Sequence, residues 1–231
     1  MPAAPDPSAP LARTPEPELM DDPDQALAYA EADFSEGHQR FADEVAARFP
    51  ELASGTGALL DLGCGPGDVS VRVARACPGW TVTGVDGADE MLKLAQGRVD
   101  RERLAARVRF ERMFLPADEL ADRRYGAVVS NSLLHHLDDP AALWTTAATC
   151  ARPGAPIAVM DLVRPATQAD VDRIVATYAA DDPEVLRQDF RNSLVAAYRP
   201  DEVADQLAAA GLAHLAVEQV TDRHLLVTGR R

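Results

Sequence analysis

Positive charge is in short supply: 23 lysines and arginines face 37 aspartates and glutamates over 231 residues, a formal net charge of -14. Such a surface repels a phosphate backbone instead of displacing its counterions, which excludes nucleic acid as the main partner. Cysteine is scarce too. Cys64, Cys77 and Cys150 are odd in number and widely spaced, so neither a disulfide framework nor a zinc knuckle is indicated, and a reducing cytoplasm is the expected compartment. No stretch approaches 18 uncharged apolar residues, and the opening MPAAPDPSAP has neither a basic start nor an apolar core. No membrane partner is expected, and no internal repeat is visible.

The chain is long enough for one α/β domain with at most a small appendage. Residues 1–24 hold seven prolines and several acids but few large apolar groups, too few to offset the entropy of ordering. They read as a disordered leader. Residues 25–56 turn helical, and Phe41, Val45 and Phe49 recur at i, i+4 and i+8 on one face, as lid helices ahead of the first strand would require.

Residues 57–231 alternate short apolar or β-branched runs (58–64, 81–86, 107–113, 125–131 and 156–162) with helical stretches. That alternation predicts a parallel sheet with helices on both faces. After the fifth run, residues 163–199 carry helical periodicity and form a helical insertion. A last helix and the pair AHLAVEQV and HLLVTGRR, joined by TDR, predict an antiparallel closing hairpin. The expected fold is Rossmann-like: seven strands, mostly parallel, one antiparallel.

Gly63, Gly65 and Gly67 follow the first strand in LLDLGCGPGD. In an open parallel sheet, ligands bind beyond the carboxyl ends of the strands, and glycines there let backbone approach a ligand and a helix present free N–H groups. A glycine turn alone is weak evidence of a ligand. Two acids add to it. Asp61 sits where a pyrophosphate would be repelled but an ammonium or sulfonium accommodated, and Asp86, ending the second strand, stands where an acid accepts ribose hydroxyls. The ligand reads as a positively charged nucleoside.

With these motifs in place the chain resembles the class I S-adenosylmethionine-dependent methyltransferases. LLDLGCGPGD resembles that family's first cofactor motif, VTGVDGADEMLKLA its ribose element, and AVVSNSLLHHLDDPAALWTTAATCARPGAPIAVMD its fourth strand, helix and fifth strand. The resemblance spans residues 37–231 apart from the insertion. It implies S-adenosylmethionine as cofactor, with Gly63, Cys64, Gly65 and Gly67 around the methionine portion beside Asp61. It also implies Asp86 and Gly87 at the ribose, and Ala88 and Met91 near the adenine. Where many members carry an acid for the adenine amino group, this chain reads FERMFLPADEL, which brings Met113 and Phe114 to that place, with Glu111 or Asp118 as alternatives from a shifted loop.

Asn131 and Ser132 end the fourth strand and face the cleft where a methyl group would leave. His135, His136, Asp161 and Tyr198 are the candidate bases, needed only if the acceptor loses a proton. Adjacent histidines diverge on a helix, so no metal site is expected despite Asp138 and Asp139 nearby. Tyr29 and Phe34 suit cation-π contact with a sulfonium. Arg164, Arg191 and Asn192 in the insertion either bind a small anionic acceptor or, with Arg187, pair with Asp181, Asp182, Glu184 and Asp189. The expected activity is in-line methyl transfer to a small molecule. Two other readings remain: a cofactor-modifying enzyme resembling the carboxy-S-adenosylmethionine synthases, which requires an arginine at the cofactor, and an NAD-dependent oxidoreductase.

Overall fold

The computed structural model describes residues 10–16, 19, 21–120 and 122–231. Helices α1 (Pro23–Glu31), α2 (Ser35–Arg48) and α3 (Glu51–Ser54) precede strand β1 (Gly57–Leu62). Then follow α4 (Asp68–Ala76), β2 (Trp80–Asp86), α5 (Asp89–Arg101), β3 (Val108–Arg112), β4 (Ala127–Asn131), α6 (Ala141–Cys150) and β5 (Pro156–Leu162). The insertion folds as α7 (Gln168–Tyr178) and α8 (Glu184–Ala196), and α9 (Pro200–Ala209), β6 (Ala216–Gln219) and β7 (His224–Arg230) close the chain.

The sheet order is β3-β2-β1-β4-β5-β7-β6. All pairings are parallel except those of β7, which runs antiparallel to both β5 and β6. Strand β1 is the hinge of this arrangement, since the chain builds outward from it first toward β3 and then, from β4 on, the other way. That reversal opens a crevice at the carboxyl ends of β1 and β4.

Alternation along β1 supplies both faces of the sheet. Leu60 and Leu62 join a core with Trp144 of α6 and Leu207 of α9, and Leu59 joins the opposite core with Phe41 of α2 and Val73 of α4. The apolar stripe Phe41, Val45 and Phe49 is therefore structural: α2 packs on α4, where burying Phe41 alone is worth about 1.5–3 kcal/mol. Of the helices before β1, α1 lies against the crevice, its Ala26 packed with Ala88 and Met91.

The leader departs from the expectation of disorder wherever it is described. The Leu11 and Thr14 amides donate to Ala166 and Val195 carbonyls. The Arg13 guanidinium donates to the carbonyls of Ala196, His135 and Leu137 and lies 4.1 Å over the Tyr198 ring. Composition counts apolar groups, and this segment is held mainly by one polar side chain. Residues 1–9, 17, 18 and 20 lie outside the described residues.

Candidate functional site

At the end of β1, Gly63, Gly65 and Gly67 adopt φ of 68°, 49° and 79°, left-handed values that a side chain strains to reach. A Cβ on Gly63 would stand 2.7 Å from Leu133, and one on Gly67 2.9 Å from Phe110. Gly65 is different: nothing lies within 4 Å of where its Cβ would stand, and the residue lines the crevice. Asp61 is buried on this crevice with one oxygen, Oδ2, accepting from the Ser70 hydroxyl at 2.5 Å, while Oδ1 is buried without a hydrogen-bond partner. Burial pushes its carboxyl up to about 7, against the pull of Ser70. An acceptor held this way awaits a cationic donor.

Asp86 accepts from the Gly65 amide through Oδ2 and from the Ala88 amide through Oδ1, both at 2.9 Å. Burial raises its pKa while these amides lower it. Cys64 lies in the same wall, and burial raises its thiol well above the ordinary range, which disfavours the thiolate that a nucleophile needs. Met91, Gly87, Met113 and Phe114 line the far end, joined by Leu19 of the leader. Glu111 is held by Arg109 and Arg123 and does not line the crevice; the Asp118 side chain lies outside what is described.

Asn131 and Ser132 sit where this crevice meets a second cavity. Asn131 donates to Ser132 Oγ at 3.1 Å, and its Oδ1 is buried without a hydrogen-bond partner. Ser132 has φ of 56°, a left-handed conformation costing about 1–3 kcal/mol, of the kind that functional sites tend to hold. Five residues, Tyr29, His38, Asn131, Ser132 and His136, line both spaces. Burial pushes the Tyr29 phenol up to about 12, so it stays neutral, and its ring centroid lies 4.8 Å from that of Phe34.

His135 and Asp161 are both buried. His135 Nδ1 lies 2.5 Å from Asp161 Oδ1, and the carboxylate also accepts from the Leu134 and Leu162 amides at 2.7 Å. Burial opposes the charged form of each, but their mutual attraction prevails, so the imidazole is raised and the carboxyl lowered. The other face of His135 meets Glu16, whose Oε1 is 3.5 Å from His135 Nε2 and 3.4 Å from His136 Nδ1. His135 is thus enclosed by two carboxylates, and Asp161 lines neither space.

Tyr198 is corrected from candidate base to structural residue: its hydroxyl donates to the Leu137 carbonyl, its ring carries Arg13, and it lines neither space. Arg164, Arg191 and Asn192 also lie outside both. Arg164 is buried against Ala197 and Leu11 carbonyls and Glu202, Arg191 pairs with Asp172, and Asn192 accepts from Gln188. Arg187 pairs with Glu184. Of the pairings that the sequence left open, Arg187–Glu184 forms; Arg191 and Arg164 are taken instead by Asp172 and Glu202, acids outside that set, and Arg164 is buried.

Sequence reasoning missed His38. Its Nδ1 lies 2.8 Å from Asp68 Oδ2, and Arg72 and Arg98 brace the same carboxylate at 2.7 and 3.0 Å. Against burial, those partners hold Asp68 well below the usual carboxylate range. An ionised Asp68 only accepts, which fixes the Nδ1–H tautomer of a neutral His38 and leaves Nε2 as an acceptor. The signal was a histidine one turn into a helix facing an acid 30 residues on; nothing local links them. The second cavity also takes Tyr178, Leu186 and Phe190 from the insertion and Arg223 and His224 from β7 and the turn before it.

The residues present fit S-adenosylmethionine: an orphaned acceptor for an ammonium, open space at Gly65, an acid for ribose and an apolar end for adenine. No arginine lines the first crevice among the described residues, which leaves the cofactor-modifying reading without its carboxylate partner. A family model described as "Methyltransferase domain" matches residues 59–154. An uncharacterized methyltransferase of Mycobacterium tuberculosis is 28% identical over 153 residues, 66% of this chain and 75% of that one. The 27-O-demethylrifamycin SV methyltransferase of Amycolatopsis mediterranei is 29% identical over 192 residues, 82% of this chain and 65% of that protein. Among solved structures, a plantazolicin methyltransferase in complex with SAH superposes with a TM-score of 0.67 at 15% identity, over 90% of this chain and 91% of that one.

Proposed function

We propose that this chain, which the methyltransferase family model and the methyltransferase relatives support as a class I S-adenosylmethionine-dependent methyltransferase, methylates, in line, a hydroxyl of a small apolar or aromatic molecule held in the second cavity. The observation that supports this reading is the shared wall of five residues, drawn from α1, α2 and the segment that ends β4, which joins the first crevice to an aromatic-lined space. The bound cofactor supplies a methyl group already activated on a sulfonium. The chain has to hold the acceptor in line and keep water out.

His38 is placed to take the hydroxyl proton. It lines both spaces, its tautomer is set by Asp68, and no other carboxylate is paired with it, in contrast to His135. The acceptor is neutral or basic instead of anionic: Asp33, Glu36, Asp182 and Asp189 line the second cavity, and its one arginine among the described residues, Arg223, lies over the Tyr178 ring at 3.4 Å beside Asp222. The printed name of the 27-O-demethylrifamycin SV methyltransferase places its methyl group on an oxygen, in line with a hydroxyl acceptor here. A panel of phenols, hydroxylated aromatic amines and aromatic carboxylates, scored by S-adenosylhomocysteine release, tests the reading. Turnover of neutral and basic members is expected; turnover confined to carboxylates would overturn it.

A further inference from the structure

Glu16, His135 and His136 converge on the edge of the second cavity from two segments far apart in the chain, and their ligand atoms all lie within 4.8 Å of one another. Hydrogen bonding does not account for the spacing. A carboxylate bonded to a charged imidazole closes to about 2.7–2.9 Å, whereas Glu16 Oε1 stands 3.5 Å from His135 Nε2 and 3.4 Å from His136 Nδ1. Two atoms that share a tetrahedral ion at bond lengths of about 2.0–2.1 Å stand roughly 3.3–3.4 Å apart.

The surroundings are those of a ligand set. Asp161 holds Nδ1 of His135 and so presents Nε2 toward Glu16, the arrangement in which a carboxylate orients a metal-binding imidazole. The Ser193 hydroxyl donates to Glu16 at 3.1 Å and fixes the carboxylate. Both histidines line the second cavity, which leaves one side of the cluster open to whatever occupies it. Two imidazoles and one carboxylate are the donor set of open zinc and related transition-metal sites; magnesium and calcium prefer oxygen alone.

We infer that Glu16, His135 and His136 form a binding site for a divalent transition-metal ion, zinc or a close relative, whose open position takes an oxygen or nitrogen of the acceptor. The ion's binding stands apart from the proposed function, and its role toward the acceptor rests on it.

The full chain, stripped with chelator, is dialysed against zinc chloride and the bound metal counted by mass spectrometry; cobalt(II) is loaded separately and its visible spectrum recorded. One zinc per chain is expected, with cobalt bands of a low-coordinate histidine site. Glu16→Gln and His136→Ala are each expected to weaken zinc by at least the 10- to 100-fold that loss of an outer partner of a ligand produces. Circular dichroism checks that they fold, and because Glu16 lies in the leader its change leaves the core intact. Absence of stoichiometric zinc, or zinc affinity unchanged from wild type in both variants, would overturn the site. S-adenosylhomocysteine binding measured with and without zinc keeps the two readings separate. A cobalt spectrum unmoved by a molecule that is turned over would overturn the acceptor-anchoring role and leave the proposed function standing.

Discussion

The Ser70 hydroxyl and the Asp61 carboxylate meet at 2.5 Å, and that single bond leaves the second oxygen of Asp61 buried and unanswered on the wall of the crevice. Burial raises the carboxyl to about 7. An ammonium placed there would hold Asp61 ionised, so binding S-adenosylhomocysteine below that value releases a proton and affinity rises with pH from about 5.5 to 7.5. Calorimetry in buffers of differing ionisation enthalpy measures the proton directly. Asp61→Asn should abolish the release and weaken binding by roughly tenfold or more, one hydrogen bond to a charged group being worth about 1.5–3 kcal/mol.

Gly65→Ala separates binding from stability. Its left-handed φ of 49° sets a folding cost of about 1–2 kcal/mol, and no neighbour within 4 Å adds to it. The variant should therefore fold, with a modestly lowered melting temperature, while the added methyl intrudes on the crevice and cofactor affinity falls. At Gly67 the Cβ would also press on Phe110 and Ala95, so Gly67→Ala should lose more stability.

The His135–Asp161 pair sets a stability window. Asp161 is lowered, so its contribution is present above the ordinary carboxylate range and fades as pH falls; His135 is raised, so its contribution is complete below about 6.5 and fades as pH rises through the folded value. Wild type minus Asp161→Asn, from urea unfolding in chelator, should be largest between about pH 4.5 and 6.5, at roughly 3–5 kcal/mol for a broken buried pair. A difference that is flat from pH 4 to 8 would contradict it.

Arg13→Ala removes three hydrogen bonds and a cation-π contact that tie the leader to the body. Faster amide exchange over residues 10–16 is expected with little change in global unfolding, because none of the sheet depends on this residue.

Much of the candidate cofactor crevice was legible because its parts are local. A strand, a glycine turn and the helix after it are contiguous, and Asp61, Gly63, Gly65 and Gly67 are all read within one motif; Asp86 follows from the same alternation one strand later. The second cavity was not legible. Glu16 reaches His135 from a proline-rich leader that composition marks as unordered, and His38 finds Asp68 across a strand and a helix. Arginines in the insertion suggested an anion site because sequence shows charge without partners; Arg164 and Arg191 already have theirs in Glu202 and Asp172. Tyr198 was misplaced for the same reason, its hydroxyl being committed to Leu137.

Every described residue that lines the first crevice lies between Leu19 and Leu137, while the second space borrows heavily from α7, α8 and the start of β7. Apart from the stretches 29–38 and 131–136, which serve both, the two spaces therefore draw on different parts of the chain. A chimaera carrying another protein's segment between α7 and α8 is expected to keep S-adenosylhomocysteine affinity while its acceptor range changes.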